Sequence, residues 1–332
     1  MNKRANHLTG IAAALGVGLL ILDNKTALAG AQEGVTMCIQ TVIPSLFPFF
    51  LLSILLTTAL IGRRIRFLHP VCRLCRIPEG AESILIAGFL GGYPVGAQCI
   101  SQGFEARQLS SADAKRLLGF CNNCGPAFLF GMASALFDQW WTPWLLWFIH
   151  IISAILVGVL LPGHPHSCTA PQTKTISPVE ALDRTVRIMA GVCGWVIMFR
   201  ILITFCQRWF LWYFPQECQV IVNGLLELSN GCIALYKIEN IPLRFILCSG
   251  FLGFGGLCVT TQTLSVTSKR LDKGLYFPGK MLQCCISVAL AAIVQGYVSP
   301  LPLIISALIG LPTAVFLRKR QKNGRNPKPI GV

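Results

Sequence analysis

The chain has 332 residues, of which 54% are hydrophobic and only 12% are charged, whereas about a quarter of the residues in a soluble globular protein are charged. This composition excludes an ordinary soluble domain. The net charge of +15 does not indicate nucleic-acid binding, because the excess lies in short loops and in the tail, and no soluble basic domain accompanies it.

Long uncharged apolar stretches predict the fold, since about 20 helical residues cross a bilayer. They occupy residues 38–62, 83–104, 117–137, 139–162, 188–206 (interrupted by Arg200), 245–268 and 281–317. The last is long enough for two spans, turned at 299–302. We interpret a further stretch at 8–22 as a retained first span, although its basic start and small residues imitate a signal peptide. The sequence therefore predicts an all-α polytopic membrane protein with about 8–10 membrane segments.

The segments suggest two related halves. The tetrapeptide Gly-Phe-Leu-Gly at 88–91 recurs at 250–253, and each copy precedes a polar basic loop (107–116 and 269–280) and then two apolar stretches. Internal symmetry of this kind is typical of secondary transporters. We predict an N-terminal membrane segment and loop (1–37), a first repeat (38–162), a polar linker (163–187), a second repeat (188–317) and a basic tail (318–332).

The glycine-rich segment at 91–98 should break its helix, because Gly costs about 1 kcal/mol and Pro about 3 kcal/mol in a helix interior. Freed backbone groups are tolerated at membrane depth only where they are buried in protein or line a cavity. We predict a re-entrant hairpin whose tip binds a polar or anionic solute. Its candidate site residues are Gly91, Gly92, Tyr93, Pro94, Gly96 and Gln98. The alternative is a glycine face for close helix packing.

A second candidate site lies at Asn122, Asn123 and Gly125, in the middle of an uncharged stretch. Amides inside a membrane span are costly unless they have partners, and they mark functional sites. An unwound helix here would present them to a solute or a cation; alternatively, they only bridge helices. The nearby Cys121 and Cys124 lack further ligands at a suitable spacing, so we expect no metal site.

A third candidate site is the break after 250–253, which predicts a second hairpin. Its candidate residues are Gly255, Gly256, Thr260, Thr261 and Gln262. Upstream, Glu227 is the acid most embedded in apolar sequence; it either binds a cation or solute, or lies exposed at the interface.

Two further polar residues fall inside predicted spans, where each is costly. We interpret Arg200 as reaching to the interface and His150 as a packing residue.

Four motifs make the chain resemble the family of the sporulation integral membrane protein YlbJ and, more distantly, proteins with the Gate or nucleoside recognition domain. They are Val-Ile-Pro-Ser-Leu-Phe-Pro-Phe-Phe at 42–50, Gly-Gly-Tyr-Pro-Val-Gly-Ala at 91–97, Asn-Asn-Cys-Gly-Pro-Ala-Phe at 122–128 and Gly-Leu-Leu-Glu at 224–227. Gly92 departs from the Ser that the family often has. Gate domains look like the core of concentrative nucleoside transporters, in which two inverted hairpins and two unwound helices hold the substrate.

The resemblance implies a transporter of a small polar solute, nucleoside-like in one version, in the bacterial cytoplasmic membrane. The alternative is a non-transporting sporulation or cell-envelope protein that serves as an assembly platform. We expect no enzyme, since no nucleophile-base set or phosphate loop is visible. A coupling ion such as Na⁺ or H⁺ is compatible with the sites, and no other cofactor is expected. The expected partners are membrane lipid and the solute, with a homo-oligomer left open.

Two orientations of the second half relative to the membrane are compatible with the sequence. In an inverted arrangement, residues 217–235 form a surface helix on the outside and the basic tail is outside. The positive-inside rule instead places the tail in the cytoplasm, which makes 217–235 a span.

Overall fold

The computed structural model of the chain describes residues 3–60, 63, 65–161, 163, 176–296 and 301–324. Within these residues all regular secondary structure is helical, so the all-α prediction is confirmed. Five helical stretches in this part of the chain are long and apolar enough to cross a membrane: Asn24–Leu60, Thr142–Leu160, Pro178–Trp209, Ile241–Val266 and Tyr276–Val294. They overlap five of the predicted stretches, whereas 83–104 and 117–137 are divided between shorter helices.

The first half contains nine α-helices among the described residues. These are α1 (Lys3–Leu22), α2 (Asn24–Met37), α3 (Ile43–Leu60), α4 (His69–Leu74), α5 (Glu82–Leu90), α6 (Val95–Glu105), α7 (Ser111–Leu118), α8 (Pro126–Leu136) and α9 (Thr142–Leu160). A π-helical turn, Cys38–Val42, joins α2 to α3. Gly125 and Pro126 start α8, since Pro fits the first helical position, where no N–H partner is needed.

The second half contains seven more described α-helices. These are α10 (Pro178–Trp209), α11 (Gln216–Leu226), α12 (Leu228–Ala234), α13 (Ile241–Phe254), α14 (Gly256–Val266), α15 (Tyr276–Val294) and α16 (Leu301–Gly324). The Ser177 hydroxyl caps α10 by accepting the Glu180 N–H at 3.1 Å, so this helix begins within the predicted linker and crosses residue 188. Residues 164–175 of that linker, residues 299 and 300 of the predicted turn and the tail beyond 324 lie outside the described residues.

Two pairs of short helices fold back on themselves. In the first, α5 and α6 are in contact so close that a Cβ on Gly96 would lie 2.9 Å from the Gly88 Cα. In the second, α11 and α12 turn at a single residue, Glu227, and a Cβ on Gly231 would lie 2.2 Å from the Gly224 Cα. Segment 217–235 is therefore two helices, neither the single surface helix nor the single span that the sequence predicts.

Each folded-back pair is followed by a broken helix. Between α7 and α8 the chain is non-helical for residues 119–125, and between α13 and α14 the break is Gly255, whose φ is +83°. Unlike α5 and α6, helices α13 and α14 do not pack along one another. The tetrapeptide at 88–91 thus lies in a folded-back pair, whereas its copy at 250–253 lies in a broken helix.

The helix order reveals a different internal repeat from the one that the tetrapeptides suggest. A long helix (α3 or α10), a folded-back pair, a broken helix and a second long helix (α9 or α15) occur twice in succession. The matching helices also contact each other, α3 with α10 and α9 with α15. The polar groups at both breaks are therefore brought into the interior. How either pair runs through a membrane, and the predicted domain limits, stay predictions.

Candidate functional site

The four predicted residues Tyr93, Gly125, Glu227 and Gln262 line one small cleft, although they come from four different elements. This central cleft is completed by Val42, Leu46, Cys124, Phe128, Val192, Val196, Leu228, Ser229 and Val259. Its volume is about 40 Å³, and one water occupies about 10–15 Å³ on this scale. The central cleft therefore has room for a few waters or a small ion, but not for a nucleoside.

The first folded-back pair is joined to both breaks by its tip. At Gly92, φ is +74° and a Cβ would lie 3.0 Å from the Gly125 nitrogen. The buried Tyr93 hydroxyl donates to the Leu252 carbonyl oxygen at 3.3 Å and would lie 3.0 Å from a Cβ on Gly255. Tyr93 thus connects the tip to the break of the second repeat.

Glycines in this pair serve close packing. A Cβ would lie 2.2 Å from the Cys121 carbonyl oxygen if it were added to Gly88, and 2.4 Å if it were added to Gly96. The Asn123 N–H donates to the Gly88 carbonyl oxygen at 3.2 Å. For Gly96 the geometry favours the packing interpretation, because its contacts are with the unwound segment. The Gln98 side chain is half-buried and lines neither cavity described here.

Asn122 is fully buried and bonds to two other helices. Its Oδ1 accepts the Ala97 N–H at 3.2 Å, and its Nδ2 donates to the Thr263 hydroxyl at 2.9 Å. Thr263 and the Tyr276 hydroxyl share a hydrogen bond of 3.1 Å. Asn122 therefore ties α6 in the first repeat to α14 in the second.

Helix α14 presents different side chains from those predicted. The Thr260 and Thr261 hydroxyls donate within their own helix, to the carbonyl oxygens of Gly256 at 3.1 Å and Cys258 at 2.7 Å. Gln262 is buried and lines the central cleft. Thr263, which the sequence does not single out, bonds to Asn122. The break position sets which residues face inward, and sequence alone leaves that position uncertain by a residue or more.

Asn123 lies beside a lysine that the sequence assigns to a loop, and this assignment is wrong. Lys280 is in α15 and fully buried. Its Nζ donates to the Asn122 carbonyl oxygen at 3.2 Å, to Asn123 Oδ1 at 3.3 Å and to Gln283 Oε1 at 2.5 Å. The Tyr93 ring centroid is 5.2 Å away. A signal was present, since Lys280, Gln283 and Ser287 share one helical face.

His150 supports the unwound segment from α9. Its Nε2 accepts the Cys124 N–H at 3.1 Å, which requires a neutral ring with its proton on Nδ1. Its main-chain oxygen accepts Gln283 Nε2 at 3.4 Å and the Ser153 hydroxyl at 2.9 Å. These contacts favour the packing interpretation.

Glu227 is buried, so the interpretation as an exposed interfacial residue is wrong. Its carboxylate caps α12: one oxygen accepts the Ser229 N–H at 3.0 Å, and the other accepts the Asn230 N–H and Nδ2, each at 2.7 Å. All three partners are donors, and both carboxylate oxygens accept. Glu227 therefore closes the turn of the second pair while facing the central cleft.

A larger polar cavity of about 500 Å³ lies next to this carboxylate. Its polar lining residues are Gln32, Glu33, Thr36, Gln40, Thr41, Arg200, Gln207, Asn223, Asn230 and Lys237. Arg200 forms an ion pair with Glu33 and donates to Asn230 Oδ1 at 2.9 Å. The buried Asn223 Oδ1 has no partner among the described residues. The volume lies within the range of small-molecule sites, about 300–1,000 Å³.

The polar cavity is not predictable from the sequence. Arg200 stands out inside a predicted span, yet Glu33, Asn223 and Asn230 lie far apart in sequence or in segments interpreted as surface helix. Arg200 is paired with Glu33, whose side chain is exposed, and the predicted reach of Arg200 to the interface stays a prediction.

Comparison with known proteins gives one similarity. The chain is 23% identical over 296 residues to the sporulation integral membrane protein YlbJ of Bacillus subtilis (strain 168), and the match covers 75% of this chain and 72% of that protein. No model of a protein family matches, and no solved structure matches. The resemblance predicted from the four motifs is confirmed, and together with the apolar helices it identifies a membrane protein. The more distant likeness to Gate proteins stays a prediction.

Proposed function

We propose that this chain is a multi-pass transporter of a small polar solute in the bacterial cytoplasmic membrane, with the polar cavity and the central cleft as its path. One hydrogen-bonded pair carries the proposal. Asn230 lines the polar cavity and Glu227 lines the central cleft, and the Asn230 amide donates to the Glu227 carboxylate at 2.7 Å. A solute that passes from the cavity to the cleft would cross at this pair.

The lining of the polar cavity indicates the solute class. Five amide side chains and two hydroxyls in this lining can both donate and accept hydrogen bonds. Arg200 is paired with Glu33, so Lys237 is a further positive charge in the lining. A nucleoside-sized molecule fits a volume of about 500 Å³. Nucleosides are the first solutes to test, because the Gate resemblance also suggests them.

The central cleft must enlarge before such a solute can enter, since its volume is about 40 Å³. The folded-back pairs and the broken helices are the elements that can move relative to the long helices. Transporters of comparable architecture hold solutes at discontinuous helices near the bilayer midplane.

The name of the B. subtilis relative favours a second candidate, a sporulation protein that does not transport and instead serves as an assembly platform. This alternative predicts a phenotype in spore formation and no solute flux. It gives no account of the buried polar groups around the two cavities, which are costly inside a membrane.

Uptake into liposomes that contain the purified chain tests the proposal. Labelled nucleosides, nucleobases and amino acids are the solutes, and Asn230→Ala is the variant, because it removes the shared side chain. We expect uptake of at least one solute, reduced about tenfold or more in the variant, which corresponds to about 1.4 kcal/mol. Asn24→Ala, at an exposed position of α2, should leave uptake unchanged. Absence of flux in the folded wild type, with spore formation lost on deletion of the gene, would support the platform instead.

A further inference from the structure

We propose that the Lys280 ammonium is a tethered cation, which occupies the place of a bound monovalent metal ion at the unwound segment and makes the fold independent of Na⁺ and K⁺. The side chain reaches this segment from α15, and its Nζ has three oxygen partners and one aromatic ring around it. The inference does not depend on transport.

The hydrogen-bond partners are the ones that a protonated amine requires. An ammonium has three donors and no acceptor, whereas a neutral amine has only two donors. All three partners of Nζ are acceptors: the Asn122 carbonyl oxygen, Asn123 Oδ1 and Gln283 Oε1. Only the charged form can donate to all three.

The orientations of the two amides are fixed by other bonds, which turn an oxygen of each amide toward Lys280. Asn123 Nδ2 donates to the Phe120 carbonyl oxygen at 2.7 Å, which turns its Oδ1 toward Lys280. Gln283 Nε2 donates to Asn123 Oδ1 at 3.0 Å and to the His150 carbonyl oxygen at 3.4 Å, which turns its Oε1 toward Lys280. Reversing either amide would place two donors or two acceptors against each other.

The ligand set is one that a metal cation would use. Hard cations take carbonyl and amide oxygens as ligands, and the π face of an aromatic ring attracts a cation within about 6 Å. Lys280 forms no ion pair within the part of the chain that the structure describes. The charge on the Lys280 ammonium is therefore stabilised by neutral dipoles, and such a site suits a monovalent cation.

The covalent tether has a physical consequence. A metal ion at this position would dissociate and would link the stability of the fold to its concentration. Lys280 cannot dissociate, and it joins α15 to the unwound segment at all salt compositions. If the proposed transport holds, uptake then needs no metal-ion gradient at this position.

Thermal unfolding of the full chain in detergent tests the inference. The wild type is measured in NaCl, KCl and choline chloride at equal ionic strength, and its midpoint should agree within about 1 °C across the three salts. A saturable rise of the wild-type midpoint in Na⁺ or K⁺ would overturn the inference, and this arm needs no variant to fold.

The Lys280→Ala variant removes the ammonium and leaves space among its oxygen partners. We expect a lower midpoint in choline and a saturable recovery of several degrees with Na⁺, K⁺ or methylammonium. Lys280→Met fills the space without a charge and should show the lower midpoint with no recovery. Lys269→Ala, at an exposed position in the same segment of the sequence, should match the wild type. If the Lys280→Ala midpoint falls by the same amount in all three salts and in methylammonium, the lysine only fills space.

Discussion

The Asn122 side-chain amide donates to the Thr263 hydroxyl at 2.9 Å, and this bond joins the broken helices of the two repeats. Both residues are fully buried, so the loss of one removes a hydrogen bond that water does not replace.

Asn122→Ala should therefore destabilise the fold. It removes the acceptor of the Ala97 N–H, and an unsatisfied buried group costs about 1–3 kcal/mol. Thr263 also loses one of its two partners. Thr263→Val removes only one end of the shared bond and should cost less. The double variant should show a coupling energy of about 0.5–3 kcal/mol, measured from unfolding in a double-mutant cycle. Strict additivity would mean that the two side chains act independently.

Gly96→Ala should disrupt the packing of the first pair on the unwound segment. The new Cβ would lie 2.4 Å from the main-chain oxygen of Cys121, and a backbone group cannot rotate away. We expect a large loss of thermal stability and of any uptake. Gly131→Ala in α8 is the matched control: its Cβ meets nothing within 4 Å, and the change should be neutral or should stabilise by up to about 1 kcal/mol. Similar behaviour of the two variants would contradict the packing role.

Glu227→Gln should weaken the turn between α11 and α12. The Gln side chain keeps the shape but has one oxygen in place of two, so at least one of the Ser229 and Asn230 donors loses its acceptor. Loss of a helix N-cap costs about 0.5–2 kcal/mol. Glu217→Gln in the exposed first turn of α11 is the control and should differ little from the wild type. The unfolding midpoints of the two variants test this prediction, and equal values would contradict the capping role of Glu227.

Thiol labelling should be fastest at Cys218, the one exposed residue among the described free cysteines. Burial raises the pKa of Cys72 to about 12 and that of Cys75 to about 11. Only the thiolate reacts, so at pH 8 about one Cys75 thiol in a thousand is in the reactive form, and fewer at Cys72. Mass spectrometry after maleimide treatment of a Cys168→Ser background checks this, since Cys168 lies outside the described residues. Rapid labelling at 72 or 75 would contradict it.

The Cys218 thiol also reports the orientation of the second folded-back pair, α11 and α12, relative to the membrane. A membrane-impermeant maleimide applied to intact cells labels Cys218 only if the start of α11 faces outward. Reporter fusions after Arg116, Lys273 and Lys322 complete the map. The inverted arrangement requires the tail to be outside, so it fails if the fusions after Lys273 and Lys322 both report the cytoplasm.

Composition was enough to predict the helical class, because apolar stretches of bilayer length leave few alternatives. The breaks near Tyr93 and Asn122 were also predictable, since Gly and Pro act locally. Lys280 was not predictable, because a charged residue at the edge of an apolar stretch is assigned to a loop when its partners are unknown. The sequence predicts Thr260 and Thr261 in place of Thr263, because each step of one residue along a helix rotates the side-chain direction by about 100°. The pairing of Glu33 with Arg200 depends on contacts between distant segments, which local pattern does not determine.

The contact of Gly224 with Gly231 limits how the second pair can move. No side chain fits between α11 and α12 there, and the Phe251 ring lies against the same point, 2.4 Å from where a Gly224 Cβ would be. We therefore expect the two short helices to move as one unit that carries both Glu227 and Asn230. Arg200 belongs to α10, so a displacement of this unit away from α10 would lengthen the bond from Arg200 to Asn230. The bonds by which Glu227 caps α12 lie within the unit and would be kept.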